Sequence, residues 1–122
     1  MNSILMDKSL HTIIERLLAF RREREWEQFH RPKDLAISLV LEAAEVLEEF
    51  QWKSDEEVNK HLSGEGRERV AEEMADVAIY LLLLSHDLGI DLPESIVKKI
   101  EKNEKRYPVE KAKGSAKKYD AL

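Results

Sequence analysis

The chain has 122 residues, 37% of them charged, a net charge of −5 and no cysteine. That length suits one domain able to bury roughly two thirds of its unfolded surface, and the scarcity of Gly and Pro fits a helical protein better than a sheet. The negative balance argues against nucleic acid or another polyanion as partner unless metal ions first neutralise the acidic groups, and the missing cysteines exclude disulfides and thiolate metal sites.

Residues 9–27 carry the first helical pattern, with Leu10, Ile13, Ile14, Leu17 and Leu18 on one face and Ser9 or Asp7 as cap. The run Arg21-Arg22-Glu23-Arg24-Glu25 reads as a solvated helix face. Pro32 disfavours helix at Arg31, so Trp26 to Arg31 is a helix end followed by a loop. Asp34 is the expected N-cap of a second helix reaching about Trp52. Its residues are apolar nearly all round, which makes it central to a bundle. Ser54-Asp55-Glu56-Glu57 has capping-box spacing and opens a short helix ending at Ser63-Gly64, with Glu65-Gly66 as hinge or loop. A fourth helix runs from about Arg67 to Leu88 and stops at Gly89. Pro93 opens a fifth, Glu94 to about Tyr107, which Pro108 ends. The tail 108–122 is basic, with Lys111, Lys113, Lys117 and Lys118, and too polar to pack as a helix by itself.

The longest apolar run, Val77 to Leu84, is far short of the ~20 residues a bilayer requires. Asp7 and Lys8 interrupt the N-terminus too early for a signal peptide. A cytoplasmic protein with no membrane partner is expected.

Two acidic stretches lie inside these apolar runs: Glu42-Ala43-Ala44-Glu45, followed by Glu48 and Glu49, and Glu72-Glu73-Met74-Ala75-Asp76. At the helical period, Glu42, Glu45 and Glu49 fall within about 60° of one another, as do Glu73, Asp76 and Tyr80. Such stripes on apolar helices are costly unless a cation sits between them. Mg²⁺ takes oxygen ligands and is commonly shared between carboxylates and substrate phosphates, and Glu42, Glu45, Glu73 and Asp76 supply such a set. Asp76, set among Met74, Ala75, Val77 and Ala78, is expected to be the best-buried ligand. Glu48, Glu49 and Glu72 read as solvated glutamates. Glu27 and His30 have the Glu-x-x-His spacing of di-iron bundles, but His11, His61 and His86 lack a glutamate three positions earlier, so no second pair exists. No glycine-rich phosphate cradle is present. Candidate cations for phosphate are Lys99, Lys102, Lys105 and Arg106 on the fifth helix, and the tail lysines.

Glu42-x-x-Glu45 followed by Glu73-x-x-Asp76 resembles the pattern of the MazG-like all-α nucleoside triphosphate pyrophosphohydrolases. Trp26-Glu27-Gln28-Phe29-His30, Phe50-Gln51-Trp52-Lys53-Ser54-Asp55, Ile79-Tyr80-Leu81, Asp91-Leu92-Pro93, Asn103, Arg106-Tyr107-Pro108-Val109, Gly114-Ser115-Ala116 and Lys118-Tyr119 look like the dCTP pyrophosphatase branch. The resemblance covers about Leu10 to Tyr119, with a departure in the linker from Asp55 to Arg67.

It implies an all-α four-helix bundle with a short extra helix, assembled as a homo-dimer or homo-tetramer. It implies that Glu42, Glu45, Glu73 and Asp76 hold Mg²⁺ on a triphosphate, with Glu42 or Glu45 as catalytic base. It also implies that His30, Trp52, Tyr80 and Asn103 line the base pocket, with Trp26 and Phe29 nearby, and that Lys99 and Arg106 face the substrate. The activity would be conversion of a dNTP, dCTP or a related one, to dNMP and pyrophosphate, cleaning the nucleotide pool. Residue chemistry suits these roles. An Asn amide offers one donor and one acceptor edge to cytosine, aromatic rings stack on bases, and an apolar wall at the sugar leaves a ribose 2′-OH unpaired. A phosphoribosyl-ATP pyrophosphohydrolase would share the acids without needing the aromatics. The acids alone also suit a non-catalytic interaction module, or a nucleotide or metal sensor without turnover.

Overall fold

A computed structural model describes residues 7–122; the first six residues, on which part of the signal-peptide expectation bears, lie outside the described region. Two compact units are present, one running to Gly89 and a second, Ile90–Leu122. All regular structure among the described residues is helical.

The first unit contains α1 (Leu10–Glu23), α2 (Pro32–Glu48), α3 (Asp55–Leu62) and α4 (Gly66–Asp87). Ser9 caps α1, accepting from the Thr12 N–H at 3.3 Å, while Asp7 accepts from the Ser9 N–H at 2.8 Å. The helix stops at Glu23, short of the pattern's reach to residue 27, because Glu25 adopts a left-handed φ of 54°. The Trp26 N–H bonds the Arg21 carbonyl at 3.1 Å and the Glu25 N–H bonds the Arg22 carbonyl at 3.0 Å. This is the Schellman arrangement, here with Glu where Gly is usual. It turns Trp26 back onto Phe20, ring centroids 5.6 Å apart, and a 3₁₀ turn, Glu27–Phe29, follows.

The second helix begins three residues earlier than an Asp34 cap predicts. Arg31 is the extended N-cap, Pro32 occupies the first turn where its missing N–H costs nothing, and Asp34 sits in that turn with Arg31 Nε at 3.0 Å. It ends at Glu48 rather than near Trp52, whose φ of 66° is incompatible with helix. The short helix follows expectation: Ser54 and Glu57 form a reciprocal capping box. Gly66 is the first residue of α4 rather than a hinge, and Gly89, at φ 67°, closes that helix.

The principal helix contacts in this unit all involve α4, which packs on α2 most extensively and also on α1 and α3. The centre is therefore α4, where the apolar content of α2 had pointed to α2. Among the described residues, Leu35 on α2 and Val70, Leu82 and Leu83 on α4 are the buried large apolar ones. The charge run after Phe20 is not uniformly solvated: Arg21 is only 8% exposed and forms a bidentate pair with Asp87, at 2.8 and 2.9 Å. Arg21 lies four residues beyond Leu17, so it continues the apolar face of α1.

The second unit holds α5 (Leu92–Arg106) and α6 (Val109–Ala112). Asp91 caps α5, accepting from the Glu94 N–H at 3.1 Å, with Pro93 in the first turn. The tail forms one helical turn and a 3₁₀ turn, Tyr119–Ala121. Tyr119 packs edge-on to Tyr107, and the Arg106 guanidinium lies 4.8 Å from the Tyr119 ring centre. No helix among the described residues is long and apolar enough to cross a membrane.

Candidate active site

The pairing of α2 with α4 brings the two acid stripes together. One carboxylate oxygen each from Glu42, Glu73 and Asp76 lie within 4.8 Å of one another. One oxygen of Glu42 and one of Glu73 are out of solvent with no hydrogen-bond donor in reach. Three converging acids, two of them with a shielded oxygen that no donor satisfies, have the electrostatics of a cation site, since the Glu42 and Glu73 oxygens lack the compensation that burial demands. The residues therefore fit a hard divalent metal, which is bound through oxygen. Asp76 is the exposed member of the trio, and Glu42 and Glu73 are the shielded ones. That reverses the expectation for Asp76, because Asp76 faces a cavity rather than packed side chains.

Glu45 is exposed and outside this three-residue convergence, yet within hydrogen-bond reach of both Glu42 and Glu73. The Glu73 carboxyl is pushed up to about 7, first by the hydrogen bond with Glu45, then by burial and by the charges of Glu45, Asp76 and Glu42. Burial, followed by the Glu45 contact and charge and by Asp76, raises Glu42 as well. Glu49, the third acid of the α2 stripe, is diverted. His61 Nε2 and Arg69 Nε each lie 3.2 Å from its carboxylate.

Beside the acids, a cavity of about 470 Å³ opens between α1 and α4, within the size range of small-ligand pockets. From α1 it is lined by Ile13, Arg16, Leu17, Phe20 and Arg21, and from α4 by Asp76, Ile79, Tyr80 and Leu83; Trp26 and His30 complete it. The rings form a series: Phe20 to Trp26 at 5.6 Å, Trp26 to His30 at 6.2 Å and His30 to Tyr80 at 6.4 Å between centroids. His30 Nδ1 is buried without a partner, and burial followed by the Arg21 charge lowers the imidazole below its usual pKa. A neutral imidazole offers one donor and one acceptor.

Of the predicted site residues, Trp26, His30, Tyr80 and Asp76 share this cavity. Phe29, 62% exposed, and Trp52, 92% exposed, lie outside its lining. Lys99, Asn103 and Arg106 are on α5 in the second unit. Sequence reasoning missed Arg21 and Asp87. The helical spacing of Arg21 from Leu17 was the available signal, but its partner 66 residues away left none.

Residues 37–122 match the MazG-like family. The chain is 46% identical over 112 residues to dCTP pyrophosphatase 1 of Rattus norvegicus, an alignment covering 89% of this chain and 65% of that protein. To dCTP pyrophosphatase 1 of Homo sapiens it is 45% identical, with the same coverage of 89% and 65%. It thus spans slightly less than two thirds of these relatives. Among solved structures, it is similar to a pyrophosphatase from Archaeoglobus fulgidus, with a TM-score of 0.78 and 40% identity, over 84% of this chain and 95% of the other.

Proposed function

The chain belongs to the MazG-like family, and we propose that it is a Mg²⁺-dependent pyrophosphohydrolase converting a dNTP, dCTP or a close relative, to dNMP and pyrophosphate. One observation carries this reading: Asp76 belongs both to the convergent acid trio and to the lining of the aromatic cavity. A ligand with a flat ring at one end and a metal-bound polyanion at the other suits that juxtaposition. The names of the relatives from rat, human and Archaeoglobus fulgidus support it.

In this reading Glu42, Glu45, Glu73 and Asp76 would hold Mg²⁺, which would offset the charge of the triphosphate and lower the pKa of a water. Trp26 and Tyr80 bound the base, with Trp52 and Phe29 contributing further aromatic surface, and His30 reads a polar edge. Lys99, Asn103 and Arg106 are retained as substrate-binding residues on the strength of their resemblance to the family pattern. A water attacks the α-phosphorus; its oxygen bonds to phosphorus, the bond to the bridging oxygen of the β-phosphate breaks, and pyrophosphate leaves. Glu45 is the better placed of the two candidate bases to take the proton, since it touches Glu42 and Glu73 without joining the three-oxygen convergence. The second unit and the first act as one MazG-like domain, 1–122 with a basic tail at 108–122, supported by a family match that runs across Gly89. A cytoplasmic, pool-cleaning role and assembly as a homo-dimer or homo-tetramer complete the proposal.

The test is incubation with each dNTP and Mg²⁺, with product identification, beside Asp76→Asn and Glu45→Gln. Monophosphate with pyrophosphate is expected. Glu45→Gln should lose roughly 10²–10⁴-fold in kcat, the usual size of a general-base contribution, while keeping the larger part of the Mg²⁺-induced thermal stabilisation, because the three converging acids remain. Asp76→Asn should lose both. Diphosphate with orthophosphate would refute the regiochemistry; nucleotide binding without turnover would favour a sensor.

A further inference from the structure

Resting on the reading of the cavity as the base site, we propose that the Arg21–Asp87 ion pair is a positioning clamp for the Trp26–His30 segment, and through it a determinant of base selectivity. The cavity walls are two helical rows, Ile13, Leu17 and Arg21 on α1 and Asp76, Tyr80 and Leu83 on α4. The next step of the α4 row is Asp87. The pair therefore closes the end of the cavity where α1 stops and the Trp26–His30 segment begins. Eleven residues of helix separate Asp87 from Asp76, about 16 Å along the axis, so the clamp lies far from the acid trio.

Arg21 acts on that segment in two ways. Its carbonyl accepts the N–H of Trp26 at 3.1 Å and that of Arg24 at 3.3 Å, which fixes the turn that docks Trp26 on Phe20. Its guanidinium is held by both oxygens of Asp87, at 2.8 and 2.9 Å, which fastens the last turn of α1 to the last turn of α4. Without the fork, the α1 terminus and the Trp26 and His30 rings would lose their register against Tyr80. Burial first and then the Arg21 charge lower the His30 imidazole, while the Asp87 charge acts the other way.

A buried ion pair is weak evidence of a stability role, because apolar replacements of similar size often fold as well or better. That property supplies the test. Arg21→Met/Asp87→Leu removes the fork without stranding a charge, and Arg21→Lys keeps a charge but not the bidentate geometry. Steady-state pyrophosphate release with dCTP and dTTP, thermal melting and His30→Ala as reference make up the experiment. The double variant should melt near wild type, and any fall in its kcat should be smaller than the rise in its KM. Its KM for dCTP should rise about tenfold, a size in keeping with slight misplacement of binding groups, and its preference for dCTP over dTTP should shrink. Arg21→Lys should shift KM in the same direction by a smaller factor, and it decides the matter if the double variant does not fold. Wild-type KM and preference in a folded double variant, or in Arg21→Lys when that variant must decide, would overturn the clamp. If His30→Ala also leaves both unchanged, the base-site reading fails instead.

Discussion

Glu73 is where the chemistry of the site should register in stability. Its carboxyl is held at about 7 in the folded protein, against an ordinary value of roughly 4.3 in an unfolded chain. An acid whose pKa is raised by folding binds more protons in the native state. Its contribution is complete below the unfolded value and is lost as pH climbs through the folded one. Metal-free protein should therefore lose stability between pH 5 and pH 8. His30 works the other way over part of that window, since burial lowers its pKa and stability gained from it grows with pH. The lowered pKa of Asp87, due first to its hydrogen bonds with Arg21, acts only in more acidic solution. Comparing melting of wild type and Glu73→Gln in EDTA separates these effects: the component that falls toward pH 8 should shrink in the variant, leaving the part due to Glu42, whose carboxyl is also raised. Because Mg²⁺ competes with the same proton, its stabilising effect on wild type should be larger at pH 8 than at pH 5.5. A pH-independent difference between the two proteins would mean the acids do not share a proton. Trp52 is 92% exposed at a φ of 66°. A left-handed conformation costs a non-glycine residue about 1–2 kcal/mol, so Trp52→Gly should raise stability by roughly 1 kcal/mol. It should also raise KM for nucleotide if the ring stacks on substrate. Unfolding in urea and steady-state kinetics check the two halves independently.

At the scale of elements, the start of α4 is packed rather than hinged. Gly66 lies under the imidazole of His61, and a Cβ there would overlap that ring. The ring cannot simply swing aside without giving up its 3.2 Å contact with Glu49. Gly66→Ala should thus destabilise by about 1–2 kcal/mol, the size of overpacking, despite alanine's better helix propensity. In a His61→Ala background the same change should become neutral or stabilising, by up to ~1 kcal/mol. Urea unfolding of the four proteins in this cycle measures it, and a penalty that survives in the His61→Ala background would rule out the ring as its cause. The example also shows what in the elements was legible. Prolines 93 and 108, the Ser54–Glu57 capping box and Gly89 mark helix ends through local chemistry, and the structure keeps each close to the expected place, whereas Pro32, read as loop, opens α2. Where the ends moved, a longer-range contact decided. Glu25 takes a left-handed turn because Trp26 docks on Phe20, and Gly66 is helical because His61 covers it. Arg21 was read as solvated since its partner, Asp87, is 66 residues distant. The acid pair on each helix was legible from spacing, whereas which carboxylates are shielded depends on how α2 meets α4.

For the molecule as a whole, the all-α MazG-like fold was visible in its motifs, but the surface of a lone chain leaves apolar side chains uncovered. Val40 is 67% exposed, Leu41 60%, Leu47 57% and Ile37 48% on α2, and Met74 is 58% exposed on α4. The sequence pattern makes the second helix apolar nearly all round, and the apolar surplus of the second and fourth helices is more than one small bundle needs. Isolated apolar residues on a surface need no explanation, but several on one helix mark an interaction face. Covering them with a second copy of the same chain reconciles the pattern with the packing, and the self-complementary contact of a two-fold dimer is the commonest solution. Wild-type protein should therefore sediment as a dimer or tetramer at micromolar concentration, and its melting temperature should rise with protein concentration because association stabilises the folded form. Val40→Lys places a charge at the most exposed of the large apolar side chains of α2 while leaving the buried Leu35, Val70, Leu82 and Leu83 unchanged. If α2 forms the contact, that substitution should shift the sedimenting species toward monomer and remove the concentration dependence of melting, while helical content stays near wild type. A wild-type protein that is monomeric at all concentrations, or a Val40→Lys variant that associates as well as wild type, would show that this face is not where copies meet.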